Sequence, residues 1–318
     1  MKILVFCPGK IPASRDKIQC FTDVINYYLP AAIKLHVEAD VVKIPSSDTA
    51  ELQHIFSSIN VDNYNAIVTL GLRFYSKISS TTTCLLRDRF SGLFCQTYDG
   101  SRLDIDPVDI TFTFKNDDLR MQANPNWYKR HKLTNEYIGW AADPELNSPA
   151  QDLTDLRILV DHTNYGDNTT DNTLDVILQI KNLIDSNIWR EYYKTISVRR
   201  FDSGKVVDVD FTNLQIEKYD RSPIPFTEIT KEHGKAHIFM VTHPESVGLV
   251  VLETSLAGAL TVTPNQYIPD DRLETIRHYK YDKTIDWQAV LKLINPKLSR
   301  EIALVNTWDR VALNNRIT

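Results

Sequence analysis

The fold is decided by residues 237–264, which read HIFMVTHPESVGLVVLETSLAGALTVTP. The apolar run from His237 to Thr242 predicts a buried strand, and Leu260–Thr263 predicts a second one. Between them, Val247–Ala257 is long and apolar enough to predict a helix. A strand, a helix and another strand in this order predict a parallel sheet, whose functional loops follow the carboxyl ends of its strands.

The same alternation extends towards both ends of the chain. In the first half, short apolar runs separated by helical periodicity predict strands at Lys2–Cys7, Ala39–Ile44 and Ala66–Leu70. A second series begins with the strand predicted at Leu156–Val160. Between the two series, Asp143–Pro149 contains two prolines and no apolar periodicity, which is typical of a linker between domains.

The predicted fold class is therefore α/β, with two Rossmann-like domains that face a cleft. A length of 318 residues agrees with two domains, since single cores stop growing beyond about 250–300 residues. We place the domains at residues 1–142 and 143–298. A final helix is predicted to start at Ser299 as its N-cap and to pack, within 299–318, back on the first domain.

Composition narrows the class of protein. Hydrophobic residues make up 42% of the chain and charged residues 24%, as in an ordinary globular protein. A net charge of −5 gives no general attraction to nucleic acid or to anionic lipid. The four cysteines form no C-x-x-C pair and suit a reducing compartment. No run of 18 apolar residues and no signal-peptide core are found, so we expect a cytoplasmic protein without an integral membrane segment.

Two glutamates and two glycines within the quoted stretch form a recognisable pattern. Glu245 and Glu253 are separated by seven residues, Gly248 follows the first glutamate, and Ala257-Gly258 ends the helix. This pattern resembles the donor-binding segment of the two-Rossmann-domain (GT-B) glycosyltransferases, particularly the retaining enzymes of glycosyltransferase family 4. The resemblance covers the last third of the chain. It implies that the second domain binds a nucleotide-sugar and that the first domain presents the acceptor.

The resemblance also implies roles for individual residues. Glu253 would accept hydrogen bonds from the ribose hydroxyls, and Glu245 would contact the transferred sugar as the catalytic residue. Independently of the family, a helix that starts near Ser246 would direct free N–H groups at a diphosphate. Gly248 would let the backbone approach the phosphates. The other predicted donor-binding residues are Val247 and His243, with Gly9 and Lys10 after the first strand.

A leaving diphosphate needs positive charge or many N–H donors around it. Enzymes of the family that the chain resembles place an Arg and a Lys after the first strand of the second domain, but Asp161–Thr170 contains neither. Arg199, Arg200 and His162 are the candidate charge partners.

We predict neither a metal nor a cofactor, since the nucleotide-sugar is a substrate. Asp104-Ile105-Asp106 and Asp208-Val209-Asp210 match the Asp-x-Asp metal pattern, but each lies in or beside a strand-like stretch where alternate residues share one face.

The predicted function is that of a hexosyltransferase-like glycosyltransferase, which moves a sugar to an acceptor hydroxyl with retention and without a metal. The acceptor could be a glycan, a lipid-linked sugar, a nucleic acid base or a small molecule. Two alternatives stay open. One is a sugar-nucleotide epimerase, which needs no acceptor. The other is a non-catalytic binding or scaffold protein, which the missing Arg and Lys would favour.

Overall fold

The chain forms two compact units. A computed structural model describes residues 1–8, 11–18, 21–44, 49–70, 88–98, 109–113, 134–137, 141–161, 172–202, 204–212, 224–244, 249–268 and 270–310. The first unit consists of Met1–Trp140 together with Trp308–Thr318, and the second of Ala141–Thr307.

The first unit contains a six-stranded parallel sheet in the order β2-β1-β3-β4-β5-β6. Its strands are β1 Lys2–Pro8, β2 Glu38–Ile44, β3 Ala66–Thr69, β4 Leu93–Tyr98, β5 Ile110–Thr113 and β6 Thr134–Tyr137. Helices α1 Phe21–His36 and α2 Thr49–Ser58 connect the first three strands. Residues 3–7 of β1 are fully buried, because the strand is central and has a neighbour on each side.

The second unit contains another six-stranded sheet, in the order β12-β11-β10-β7-β8-β9. All neighbouring strands are parallel except β8 and β9, which form an antiparallel pair. The strands are β7 Asp155–Val160, β8 Thr195–Asp202, β9 Lys205–Asp208, β10 Ile238–Met240, β11 Leu260–Pro264 and β12 His278–Tyr281.

Six helices accompany this second sheet within the described ranges: α3 Thr173–Ser186, α4 Phe226–Lys235, α5 Leu249–Leu256, α6 Asp270–Leu273, α7 Trp287–Leu293 and α8 Pro296–Ala303. Alternate residues of β7, Leu156, Ile158 and Val160, join the core that contains the apolar side of α3 and Trp287 of α7. The opposite face of β7 carries Arg157, which contacts Glu232 of α4. Helices α4, α5 and α8 pack against one another in turn.

The prediction that a helix starts at Ser299 was wrong. Helix α8 begins three residues earlier, with Asn295 as its N-cap and Pro296 in its first turn, and the side chain of Ser299 is fully buried inside it. The Asn295 carboxamide oxygen accepts a hydrogen bond from the N–H of Leu298 at 3.0 Å. Proline at the first helical position and asparagine before it were the missed signals.

The residues after α8 return to the first unit. Helix α8 ends at Ala303 and a short 3-10 helix follows at Leu304–Asn306. The indole of Trp308 then stacks on the ring of Tyr28 in α1, with centroids 5.9 Å apart. His36 of the same helix contacts Asp309, with Nε2 and Oδ1 separated by 2.8 Å. In the described part of the chain, every helix is too short or too polar to cross a lipid bilayer.

Candidate functional site at the carboxyl edge of the second sheet

The carboxyl ends of β7 and β10 meet at one edge of the second sheet. The two strands are parallel neighbours, with Val160 opposite Met240. Asp161 follows β7, and its backbone N–H donates a hydrogen bond to the carbonyl of Met240 at 2.9 Å. His243 follows β10 after Val241 and Thr242. The polar residues after both strands therefore reach the edge at which open α/β sheets bind their ligands.

An acidic and a basic side chain meet at this edge. Nδ1 of His243 lies 3.6 Å from a carboxylate oxygen of Asp161. The hydroxyl of Thr242 lies 3.4 Å from the same nitrogen. The Asp161 side chain is 3% exposed and that of His243 is 13% exposed. Nδ1 thus lies close to two polar side chains.

The start of helix α3 lies beside the same loop. The backbone N–H of Asn172, the N-cap of α3, donates to the carbonyl of Thr242 at 2.8 Å. The Asn172 side chain makes no capping hydrogen bond to the first turn. Helix α3 runs back from the carboxyl edge, since it connects β7 to the parallel strand β8. Its N-terminal end, which carries the positive end of the helix dipole, therefore lies at this edge.

Glu253 lies elsewhere, in the second half of α5. Its side chain is 6% exposed, and Oε2 lies 3.6 Å from Nδ1 of His233 in the last turn of α4. Helices between parallel strands run from the carboxyl edge back to the amino edge. The contact therefore lies in the half of the helix layer nearer the amino ends of the strands.

Burial shifts the pKa values of Glu253 and His233 in opposite directions. Removal from water, together with the smaller effect of the nearby Asp143 carboxylate, raises the pKa of Glu253 from its ordinary 4.5 to about 8. The same removal lowers the pKa of His233 from 6.5 to about 3. Both groups are therefore uncharged at neutral pH. Nδ1 of His233 also lies 3.3 Å from the side-chain oxygen of Asn147, to which it donates when it carries the proton.

Arg199, a candidate diphosphate partner, is held within an ionic network. Its guanidinium contacts Glu232 at 2.9 Å and Asp208 at 3.3 Å, and it donates to the carbonyl of Val206 at 2.9 Å. Glu232 is also contacted by Arg157 at 3.3 Å. These acidic partners offset the charge of Arg199 and tie β8 and β9 to α4.

Arg200 pairs with Val160 in the sheet and with Val207 of β9, and it is half-buried. Its predicted role stays a prediction.

Several predicted site residues lie outside the described ranges: Gly9, Lys10, His162, Glu245, Ser246, Val247 and Gly248. Among the described ones, the structure brings His243 to the carboxyl edge and places Glu253 against His233. The ribose contact predicted for Glu253 stays a prediction.

Sequence reasoning assigned no role to Asp161, although a signal was available. Asp161 and Thr242-His243 are the first polar residues after two apolar strand runs, and parallel strands bring such residues to one edge. In the parts of the chain that the structure covers, no three His, Cys, Asp or Glu side chains come together in a way that could hold a metal ion.

Comparisons with known proteins give matches of structure only. No protein-family model matches the chain, and no curated protein sequence does. A sucrose-phosphate synthase (tll1590) from Thermosynechococcus elongatus matches with a TM-score of 0.52 at 10% identity, covering 98% of this chain and 96% of that one. Anabaena Alr3699/HepE, solved in complex with UDP and glucose, matches with a TM-score of 0.50 at 12% identity, covering 99% of this chain and 95% of the other.

The two matches span both units of the chain, whose sheets are largely parallel and accompanied by helices. The predicted fold class is confirmed: the protein has an α/β fold with two Rossmann-like domains, of the kind found in GT-B glycosyltransferases.

Proposed function

We propose that the protein is a glycosyltransferase that takes a sugar from a nucleotide-sugar donor. The observation that carries this proposal is the agreement in fold, over almost the whole chain, with a sucrose-phosphate synthase and with HepE, whose structure contains UDP and glucose. The polar carboxyl edge of the second sheet, with Asp161, His243 and the start of α3, supports it because ligands bind at this edge in such sheets.

The proposed reaction transfers a hexose to an acceptor hydroxyl with retention and without a metal. The acceptor oxygen forms a bond to the anomeric carbon as the bond from that carbon to the diphosphate oxygen breaks. The acceptor proton goes to the departing diphosphate oxygen, so the products are a glycoside and a nucleoside diphosphate. Support for this outcome comes from the spacing of Glu245, Gly248 and Glu253, which resembles that of retaining enzymes. Glu245 is proposed to contact the transferred sugar.

Nucleotide binding is the first test. Thermal unfolding is followed with UDP, GDP, ADP, dTDP and CDP, each at millimolar concentration. A diphosphate present at about 100 times its Kd should raise the midpoint by on the order of 5 °C, because it binds only the folded chain. If none of the five raises the midpoint, the proposal is wrong.

Turnover is the second test. The donor is the nucleotide-sugar of the preferred base, and EDTA removes free metal ions. Release of the diphosphate that depends on an added acceptor supports transfer without a metal. NMR of the product gives its anomeric configuration and so tests retention.

A nucleotide-binding protein without transferase activity is the second candidate. It is favoured by the sequence after β7, because His162–Thr170 contains no Arg or Lys to neutralise a leaving diphosphate. Binding of one diphosphate without acceptor-dependent release of that diphosphate would favour this candidate. Conversion of the donor sugar without any acceptor would instead indicate an epimerase.

A further inference from the structure

The chain enters the second unit through a turn at residues 142–150, called here the entry turn, since the boundary between the units lies just before it. The Asp143 carboxylate accepts hydrogen bonds from the N–H groups of Glu145 and Leu146, at 2.8 and 3.4 Å. The Asp143 carbonyl accepts hydrogen bonds from the N–H and the side-chain amide of Asn147, at 3.1 and 2.9 Å. Because the amide nitrogen of Asn147 is used within the turn, its side-chain oxygen faces other elements.

A buried side-chain contact ties the entry turn to α4. The side-chain oxygen of Asn147 lies 3.3 Å from Nδ1 of His233, which donates to it. A carboxyl oxygen of Glu253 in α5 lies 3.6 Å from the same nitrogen. Asn147 and His233 are fully buried, and Glu253 is nearly so. Nδ1 carries one proton, so the two oxygens compete for a single donor.

The charge on Glu253 decides this competition. While Glu253 is neutral, both acceptors are of ordinary strength, and the oxygen of Asn147 lies nearer to Nδ1. Hydrogen bonds to an ionised carboxylate are roughly twice as strong as those between neutral groups. When the Glu253 proton leaves to water, the carboxylate therefore draws Nδ1–H of His233 away from Asn147. Asn147 then loses its side-chain contact with α4, and the entry turn is held less firmly.

The groups around Glu253 oppose the loss of its proton. Helix α5 packs mainly against α4, α8 and β11, and neither α5 nor β11 contains another titratable residue. From the entry turn, the Asp143 carboxylate disfavours a second negative charge, and from α4 the buried His233 is neutral. On α8, the guanidinium of Arg300 is bound to carbonyl oxygens of the entry turn and of Leu256. The other charged residues of α4 and α8 are exposed or contact β7, β8 or β9: Glu228, Lys231, Glu232, Lys235, Lys297 and Glu301. Burial, with the smaller effect of Asp143, raises the pKa of Glu253 to about 8.

We propose that Glu253 is a pH switch for the entry turn: its protonated form keeps the hydrogen bond between His233 and Asn147, and its ionised form breaks that bond. The switch lies within the second unit and does not depend on which ligand the protein binds. Because the entry turn receives the chain from the first unit, the switch sets how firmly that connection is anchored. In a purely structural cluster, His233 would stay bonded to Asn147 after Glu253 loses its proton.

NMR of the full chain follows both the donor and the turn in the folded state. Between pH 6.5 and pH 9, the Nδ1 proton of His233 should move downfield with a midpoint near pH 8, because its acceptor becomes a carboxylate. The order parameters of the backbone amides of residues 145–147 should fall with the same midpoint, from the rigid value of about 0.85 towards about 0.6. The amides of α7, which packs on the other face of the sheet, should keep their values.

Two variants separate Glu253 from other titrating groups. Glu253→Gln keeps the shape of the protonated side chain and cannot ionise, so both signals should stay constant up to pH 9. Glu301→Gln removes an exposed carboxyl group of α8 and is the matched control, which should titrate as the wild type does. Constant signals in the wild type overturn the proposal without any variant. A midpoint that persists in Glu253→Gln, or a loss of order that α7 shares, overturns it as well.

Discussion

The carboxyl group of Glu253 and the imidazole of His233 lie 3.6 Å apart and join α5 to α4. The two side chains are 6% and 0% exposed. Asn147, which precedes the second sheet in the chain, also belongs to this cluster. Its side-chain oxygen lies 3.3 Å from Nδ1 of His233, and its side chain is fully buried. Because burial of a charge costs far more than burial of a neutral polar group, the cluster is stable as an uncharged unit.

The stability of the protein should therefore depend on pH in an uncommon way. Between pH 4.5 and about 8, the folded chain keeps the Glu253 proton that the unfolded chain has lost, so this contribution to stability decreases as the pH rises. Burial lowers the pKa of His233 to about 3 and that of His237 to about 4. The unfolded chain holds these two protons up to pH 6.5, so their contribution increases as the pH rises to that value.

Together, the contributions of Glu253, His233 and His237 predict that the unfolding free energy is highest near pH 6.5 and falls by about 2 kcal/mol between pH 6.5 and pH 8. Urea unfolding at intervals between pH 5 and pH 8.5 measures this profile. Glu253→Gln keeps the shape of the side chain but cannot ionise, so its free energy should stay level above pH 6.5. If the unfolding free energy of the wild type does not fall above pH 6.5, Glu253 is ionised in the folded protein at neutral pH.

The same variant tests how Glu253 relates to the nucleotide. A carboxylate that binds ribose hydroxyls must reach the ligand, whereas Glu253 is 6% exposed and lies against His233. From this geometry we expect Glu253→Gln to change the Kd of the preferred nucleoside diphosphate by less than about threefold, since loss of a hydrogen bond to a charged group would cost tenfold or more. Calorimetry at pH 6, where the side chain at this position is neutral in both proteins before the nucleotide binds, gives the comparison. A weakening of tenfold or more would establish the ribose contact that the sequence pattern predicts.

Much of the fold could be predicted because it depends on local patterns. The strands of the two sheets that are buried on both faces, such as β1, β7 and β11, stand out as short apolar runs. Strand β12 is half-buried along most of its length and lies beside β11 at the edge of the sheet formed by the described residues, so no apolar run marks it. Its sequence, HYKY, could be recognised only once the position of the strand at the sheet edge was known.

The candidate site was harder to predict, because its contacts join residues that are far apart in the chain. Asp161 and His243 meet only because β7 and β10 are adjacent, although β8 and β9 come between them in the sequence. The side of α5 that carries Glu253 depends on how α4 packs against it, and the helix is too apolar overall for its sequence to show which side is solvated. A spacing of two glutamates therefore does not determine their surroundings.

Arg300 connects the segment before β7 with α5 and α8. Its guanidinium donates to the carbonyl oxygens of Asn147, Leu256 and Pro144, with distances of 2.7 Å to Asn147 and 2.8 Å to Pro144. Arg300→Ala would leave three carbonyls without this donor, so we expect the free energy of unfolding to fall by about 3 kcal/mol. Arg300→Lys should recover only part of the loss, because an ammonium lacks the planar fork that reaches several acceptors at once.

Urea unfolding of the three proteins at pH 6.5 measures these differences. Lys297→Ala is the matched control, since Lys297 is exposed on the same helix α8 and its replacement should change the free energy by no more than about 0.5 kcal/mol. The expected order of stability is wild type and Lys297→Ala, then Arg300→Lys, then Arg300→Ala. If Arg300→Ala is as stable as the control, water must replace the guanidinium at all three carbonyls, and Arg300 does not hold the segment 144–147 against α5.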